Sequence, residues 1–459
     1  MSKRTRLVHF VGIGGIGMSG IAEVLLNLGY AVRGSDLKES DTTVRLSSLG
    51  ADVRKGHVAG HVEGADVVVI SSAVRPDNPE LVAARAAKIP VIRRAEMLAE
   101  LMRMKLSVAI AGTHGKTTTT SLVATILNEA GLDPTVIVGG KLNRLGSNAK
   151  LGQGPYLVAE ADESDGSFLS LFPTIALITN VDPEHLDHYK AGMSEVTEAF
   201  FGFVSRVPFY GLAVLCADHP VVRAIAERLD RRVVTYGLKE GADFRARDLV
   251  FDGPKTSFEL VIRGASLGRI ELPMLGEHNV QNVLGALAIA DELGVPLEVA
   301  RAAITTFMGV DRRFSVRGEA AGVMVVDDYG HHPAEIRATL IGARNAYPHR
   351  RLLVGFQPHR FTRTRDLMSE FATAFTQADL VVLAPIYAAG EDAIPGVSSE
   401  ALARLLAEQG KSVVLARSVD DLAARLADAA RPSDIIVSFG AGDVVRASVV
   451  VLKLLLRQV

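Results

Sequence analysis

Tryptophan is absent from this 459-residue chain, cysteine occurs once, and aromatic residues make up only 5%. The lone Cys216 excludes an intrachain disulfide framework and a cysteine-rich metal site, which fits a reducing compartment. Long apolar runs are missing too, and none approaches the ~18 residues needed to cross a bilayer. Charge of one sign is not in excess: 50 Lys+Arg face 52 Asp+Glu, a formal charge of -2. That balance gives no electrostatic reason to expect nucleic acid or an anionic membrane as partner. There is no low-complexity tract and no short-period repeat. The start, Met1 to Arg6 followed by Leu7-Val-His-Phe-Val, has the basic-then-apolar look of a signal peptide. Glycines and His9 interrupt the apolar part, so a buried strand entering a glycine turn explains it better. These absences predict a cytoplasmic protein.

What is present is apolar material, at 48% of residues, in a chain too long for a single core and suited to about three domains. Short Val/Ile/Leu runs ending in Gly, Ser or Asp alternate with longer amphipathic segments, the pattern of βα units around buried parallel sheets. Ala65 to Ser72, Ile175 to Asn180, Leu352 to Phe356, Asp379 to Pro385 and Ile435 to Gly440 are examples. Such units restart at Leu7, at Leu106 and near Ser315. The expected organisation is therefore three α/β domains, over residues 1–105, 106–314 and 315–459.

The run Val108-Ala-Ile-Ala-Gly112-Thr113-His114-Gly115-Lys116-Thr117-Thr118 reads as a strand, a glycine turn and a lysine opening a helix. Glycines let backbone N–H groups turn inward around phosphate oxygens, Lys116 neutralises β/γ phosphates, and the Thr117 hydroxyl can ligate Mg²⁺. Ile110 stands where the usual pattern has its first glycine, so this is a shortened, specialised form of the loop. A second glycine run, Gly12-Ile-Gly14-Gly15-Ile-Gly17, precedes a helical pattern from Met18 to Leu28, and Asp36 closes the next strand. It matches the dinucleotide fingerprint. The physics is broader than the fingerprint, because such a turn binds any diphosphate and a carboxylate beyond it any ribose or sugar hydroxyl. With no evident hydride-transfer site, a diphosphate nucleotide other than NAD is the better expectation.

Past the strand Tyr156-Leu-Val-Ala come Glu160, Asp162, Glu163 and Asp165, whose crowding costs self-repulsion unless cations are near. Mg²⁺ takes such hard oxygen ligands, and Glu160, at the strand's carboxyl end, is the best placed. The next strand ends in Asn180-Val-Asp182-Pro-Glu184-His185, where a metal-linked role for His185 is favoured. Polar clusters at the carboxyl ends of neighbouring strands are where α/β proteins bind ligands.

These motifs occur in order with Glu277-His-Asn279-Val-Gln-Asn282, Arg312-Arg313-Phe314, Asp327-Asp328-Tyr-Gly-His331-His332-Pro and Gln357-Pro-His-Arg360-Phe-Thr-Arg363. Together the set resembles the Mur ligase family over residues 7 to about 443. The resemblance implies a Rossmann-like N-terminal domain, a central P-loop-type ATPase domain and a Rossmann-like C-terminal domain. It also implies ATP-dependent formation of an amide between L-alanine and the lactyl carboxylate of UDP-N-acetylmuramate, through an acyl phosphate, in peptidoglycan precursor synthesis.

By the same resemblance, Gly112 to Thr118 would hold the ATP phosphates, with Lys116 catalytic and Thr117, Glu160 and His185 on Mg²⁺. Asn279 and Asn282 would contact the adenine side of ATP, Arg313 the γ-phosphate and Asp328 the nucleotide. His331, Arg360 and Arg363 would take the incoming alanine, since an arginine fork suits its carboxylate. Gly14, Gly15, Gly17, Asp36, Ser72 and Ala73 would form the UDP-sugar site. Some members carry a carbamylated lysine on a metal, but no lysine lies between Lys190 and Lys239 to assign to it. Three other readings stand beside this one: a recycling ligase that attaches a preformed tripeptide to the same sugar nucleotide, an NAD(P)-dependent oxidoreductase, and a nucleotide-gated switch.

Overall fold

A computed structural model of the chain describes residues 7–71, 73–138, 149–184 and 188–457. Ser72 and His185 lie outside the described residues. Among the described residues three sheets carry the fold. The first is built from β1 (Leu7–Val11), β2 (Ala31–Asp36), β3 (Asp52–Lys55), β4 (Val67–Ile70) and β5 (Val91–Arg93), in the order β3-β2-β1-β4-β5. Every pairing in it is parallel. The order reverses between β2 and β4 on either side of β1, so a crevice opens where β1 runs into the first glycine turn.

The second sheet contains β6 (Leu106–Ala111), β7 (Thr135–Ile137), β8 (Ala149–Lys150), β9 (Tyr156–Glu160), β10 (Ile175–Ile178), β11 (Leu212–Cys216), β12 (Val233–Gly237), β13 (Phe244–Asp252), β14 (Lys255–Ile262) and β15 (Ala265–Leu272). Its order is β15-β14-β13-β12-β11-β10-β6-β9-β7-β8. The central strand β6 lies parallel between β10 and β9, and its residues Val108 to Ala111 are fully buried. Strands covered on both faces read as continuous apolar runs, and each such Val or Ile contributes roughly 1.5–3 kcal/mol by leaving water.

The third sheet is formed by β16 (Ser315–Ala320), β17 (Val323–Asp328), β18 (Leu352–Phe356), β19 (Leu380–Leu383), β20 (Val413–Leu415) and β21 (Ile435–Phe439). Its order is β16-β17-β21-β18-β19-β20, with only β16 antiparallel to its neighbour. Its core has two halves, one around Phe356, Phe371 and Phe375 and one around Leu353, Leu422 and Leu426. The α/β class with parallel sheets is thus as the sequence pattern predicts. By contacts the chain groups into two compact units. One comprises Met1–Asp248, Phe258–Ile270 and Gln281–Met308; the other comprises Leu249–Ser257, Glu271–Val280 and Gly309–Val459. No helix among the described residues is long and apolar enough to cross a membrane.

Candidate functional site

A polar side chain over the first N–H groups of a helix takes one or two of the donors that an anion could otherwise use. In this chain Ser40 caps Asp41–Ser48 and Asn78 caps Pro79–Ala86 in that way. The helices after the two glycine runs, Ile16–Asn27 and Lys116–Glu129, start at Gly15 and Gly115 with no side-chain cap. Each therefore presents backbone donors and the positive end of its dipole to an anion.

The loop before Lys116 is shaped by the end of β10. His114 N donates to Asn180 Oδ1 at 2.8 Å, Asp182 N to Thr113 Oγ1 at 2.8 Å, and Thr179 Oγ1 to the His114 carbonyl at 2.6 Å. Gly112 has φ +132° and sits hard against Thr179, which is why the position takes glycine. A Cβ on Gly115 would lie 2.7 Å from Asn282 Oδ1, itself bonded to Thr119 Oγ1 at 3.2 Å. Asn282 is thereby brought to the loop, as is Thr118, which is buried in the helix's first turn.

Lys116 curls back over its own loop. Its Nζ donates to Gly112 O at 2.5 Å, Thr113 O at 3.2 Å and Glu163 Oε1 at 2.9 Å. Burial works against its charge, but Glu163, Asp162 and Glu160 outweigh that and raise its pKa. Burial likewise pushes Glu163 up to about 7, more than Lys116 pulls it down, and the charge of Asp162 adds to the rise. Glu160 ends β9 opposite Ile110 of β6. Asp182 lies between two imidazoles, His219 Nε2 at 3.4 Å and His114 Nε2 at 3.6 Å. Sequence reasoning missed His219, because only the fold brings the end of β11 beside the end of β10.

In the first glycine run the internal bonds are more extensive than the fingerprint implies. Gly12 N and Ile13 N both donate to Ser35 O, at 2.8 and 2.9 Å, Gly14 N donates to Asp36 Oδ2 at 2.9 Å, and Gly15 N to Gly12 O at 3.2 Å. Gly14 and Asp36 are thus brought together, with the carboxylate holding the loop. Gly17 faces Arg94: a Cβ there would be 2.8 Å from Arg94 Nη1. Arg94 Nη2 donates in turn to Asp162 Oδ2 at 3.1 Å, so one guanidinium links the first glycine loop to the acidic turn. Burial would raise Asp162, but Lys116 and Arg94 hold it below the usual range. Arg94 was not singled out in the sequence because nothing near it marks it as more than a helix start. Ala73 lies exposed just past β4.

In the C-terminal unit, Asp328 at the end of β17 accepts from Phe314 N and Gly330 N, both at 2.7 Å. The pair Arg312-Arg313 separates clearly. Arg312 is tied to Asp327 Oδ2 at 3.1 Å and Gly440 O at 2.6 Å, Arg313 reaches Glu335 at 3.1 Å, and both guanidiniums lie over the Tyr329 ring, 4.9 and 5.6 Å from its centroid. Residues Arg312 and Phe314 both have positive φ, +59° and +47°, a strained backbone of the kind that collects at functional loops. Asn279 Nδ2 donates to Leu275 O at 2.8 Å. His331, Arg360 and Arg363 surround His359: the His331 ring centroid is 6.0 Å away and Arg363 Nη1 lies 3.4 Å from His359 Nδ1. Burial, with the positive charges of His331, Arg363 and Arg360, pushes His359 down to about 4. The ring stacks on Tyr387 at 5.5 Å, and Arg360, at φ +71°, donates its N–H to Tyr387 O at 2.8 Å. Positive charge is therefore gathered around His359 from three side chains.

Burial raises Asp328 from 3.8 to about 6, against the pull of Arg313 and its two backbone donors. A carboxyl whose folded value is raised stabilises the fold below its unfolded value, and that contribution is lost as pH rises through the folded one. The Asp328→Asn variant is expected to flatten the fall of melting temperature between about pH 4 and pH 6. Calorimetry showing the same slope in both proteins would contradict it.

Residues 7–106 match "Mur ligase family, catalytic domain", 110–290 match "Mur ligase middle domain" and 312–442 match "Mur ligase, glutamate ligase domain". A UDP-N-acetylmuramate--L-alanine ligase of Anaeromyxobacter sp. (strain Fw109-5) is 60% identical over 452 residues, 98% of each chain. The crystal structure of a UDP-N-acetylmuramate-alanine ligase from Thermotoga maritima is 30% identical, covers 97% of this chain and 98% of its own, and has a TM-score of 0.81. A murein peptide ligase from Psychrobacter arcticus, at 24% identity, 99% coverage of each chain and TM-score 0.69, shares the fold. With matches along nearly its whole length, the chain belongs to the Mur ligase family.

Proposed function

We propose that the chain is an ATP-dependent ligase that joins L-alanine to the lactyl carboxylate of UDP-N-acetylmuramate in the cytoplasm, a step of peptidoglycan precursor synthesis. The observation that carries it is the pairing, within one compact unit, of two glycine loops at uncapped helix starts, linked through Arg94 and Asp162. The identity of the substrates follows the names of the relatives. Three domains, 1–105 for the UDP-sugar, 106–314 for ATP and 315–459 for the amino acid, are the division we adopt.

The chemistry divides in two because a carboxylate is no acyl donor until its oxygen becomes part of a leaving group. A lactyl carboxylate oxygen attacks the γ-phosphorus, the bond to the β-bridging oxygen breaks, and ADP leaves. The alanine amine then attacks the acyl carbon, loses a proton, and phosphate departs. In our reading the loop from Gly112 to Thr118 holds the triphosphate through Lys116 and the N–H groups not already given to Asn180, Arg313 meets the γ-phosphate, and Asn279, Asn282 and Asp328 hold the rest of the nucleotide. Gly14, Gly15, Gly17, Asp36, Ser72 and Ala73 frame the UDP-sugar. Arg94 adds positive charge where two anions must approach, and His331, Arg360 and Arg363 receive the alanine carboxylate.

The donor set fits Mg²⁺. Among the described residues no three His, Cys, Asp or Glu side chains form a metal cage, while Thr117 and Glu160 offer hard oxygens beside the phosphate loop. Mg²⁺ takes much of its shell from phosphate and water, so one or two protein ligands suffice, with His185 as a third candidate. Bound there, Mg²⁺ would supply charge neutralisation on the phosphates.

ADP release that requires UDP-N-acetylmuramate and alanine together tests the reading. Turnover with a preformed tripeptide and none with alanine would replace it by the recycling activity, and tight NADPH binding without UDP-sugar binding would replace it by a dehydrogenase. In the same assay Arg360→Ala is expected to raise the KM for alanine about 10- to 100-fold, from loss of a charged hydrogen bond worth about 1.5–3 kcal/mol. An unchanged KM removes Arg360 from that role.

A further inference from the structure

Away from the phosphate loops, the first sheet hides a carboxylate that the reaction does not use. Glu80 is fully buried, in the first turn of the helix Pro79–Ala86. Around it, Ser35 Oγ donates to Oε2 at 2.6 Å, His61 Nδ1 lies 2.7 Å from Oε1 and Val58 N donates to Oε1 at 3.4 Å. His57 Nδ1 and the fully buried His9 Nε2 stand 3.4 and 3.5 Å from Oε2. Ser35 gives its one hydroxyl proton to Glu80, so His57 Nδ1, 2.9 Å from Ser35 Oγ, must carry the hydrogen of that contact. Burial alone would push Glu80 up; the His9 imidazole and the bonds from Ser35 and His61 overcome it and hold the group at about 2. A well-packed apolar side chain usually serves stability as well as a buried charge does, so stability is a weak reason for this one.

Ser35 points to another reason. Its side chain binds Glu80, while its carbonyl takes the N–H groups of Gly12 and Ile13, and its neighbour Asp36 takes that of Gly14. Two consecutive residues at the end of β2 thus fix three consecutive donors of the glycine loop. There is no slack between them: a Cβ on Gly34 would fall 2.5 Å from Ile13 Cδ1. Any shift of Ser35 passes directly to the loop and to the start of the helix Ile16–Asn27.

We propose that Glu80 is a positioning residue for the UDP-sugar, setting through Ser35 the placement of the glycine loop it does not itself touch. The inference rests on the reading of that loop as the UDP-sugar site. It predicts a selective effect. Glu80→Gln keeps the volume but leaves one acceptor oxygen where two oxygens now receive Ser35, His61 and Val58. Ser35→Ala removes the link and leaves the carboxylate with its histidines. Each variant is expected to raise the KM and the calorimetric Kd for UDP-N-acetylmuramate about tenfold, with KM for ATP and alanine moving by less than about twofold. The double variant should be no worse than the worse single one, since both residues act along one path.

Lower melting temperatures with an unchanged UDP-sugar KM, or equal rises in all three KM values, would leave Glu80 a structural residue and overturn the proposal. Ser35→Ala is a small truncation and decides the matter if Glu80→Gln does not fold. Gly14→Val separates the two layers of the argument, because its side chain would press on Asp36 Oδ2 and Thr43. Binding of UDP-N-acetylmuramate that survives Gly14→Val sinks the loop as the site, and the proposal with it. Binding lost in Gly14→Val but untouched in Ser35→Ala and Glu80→Gln sinks the positioning role alone.

Discussion

Lys116→Ala is expected to lower turnover by about a thousandfold or more while leaving affinity for UDP-N-acetylmuramate nearly intact. The magnitude follows from what the ammonium does. It is held by Gly112 O, Thr113 O and both oxygens of Glu163, inside a loop whose other donors are backbone N–H groups. Negative charge builds on the transferring phosphoryl group in a site with little water, where one fixed cation is worth far more than at the surface. Its removal also strands Glu163, only 3% exposed, with Asp162 next to it in the chain and no ammonium beside it. That carboxyl, already at about 7, would then hold its proton more tightly, so the variant should not gain a negative hole that repels ATP at neutral pH. The loss should therefore fall on kcat more than on ATP binding. Single-turnover ADP formation and calorimetry with the UDP-sugar check it together. Turnover within tenfold of the wild type would remove Lys116 from the phosphoryl step, and loss of UDP-sugar affinity alongside turnover would contradict separate sites.

What could be read in the sequence was whatever is encoded locally. Gly112 and Gly115 announce a turn because their φ values are ones only glycine adopts cheaply, and the apolar run before them announces β6. Asp328 and the choice of Arg313 over Arg312 came from the family resemblance, without the physical reason that ties Arg312 elsewhere. The choice depends on Asp327 and Gly440, the second of which is distant in sequence and reaches Arg312 only through pairing of β17 with β21. Arg94 with Asp162, Lys116 with Glu163, and His219 with Asp182 are long-range in the same sense; no spacing rule joins residues 68 positions apart. The first glycine run shows a subtler limit. The fingerprint locates the loop, but it implies that Gly14 and Gly15 approach a ligand, whereas their N–H groups are used to shape the loop on Asp36 and Gly12. The donors left for a diphosphate are those of the helix start.

The phosphate loop offers the sharpest steric test. Gly112→Ala is expected to reduce kcat/KM for ATP by about a hundredfold or more and to lower the melting temperature by several degrees. Two separate causes act. At φ +132° an L side chain is strained wherever it sits, and here its Cβ would also collide with Thr179 Oγ1 and approach Thr179 N and Asn180 N at 3.0 and 3.1 Å. Thr179 Oγ1 is the donor that fixes the His114 carbonyl, so the collision drives apart β10 and the loop it shapes. The causes can be told apart. Gly29→Ala, at φ +85° with nothing within 4 Å of its new Cβ, carries the backbone strain alone and should cost melting temperature without changing ATP kinetics. Gly112→Ala combined with Thr179→Ala removes the oxygen but neither the strain nor the two backbone nitrogens, so rescue should be partial. Full recovery in the double variant would make the hydroxyl the whole obstacle. ATP kinetics unchanged in Gly112→Ala itself would mean that the loop can move aside at no cost, and that its tight seat on β10 does not set the phosphate site.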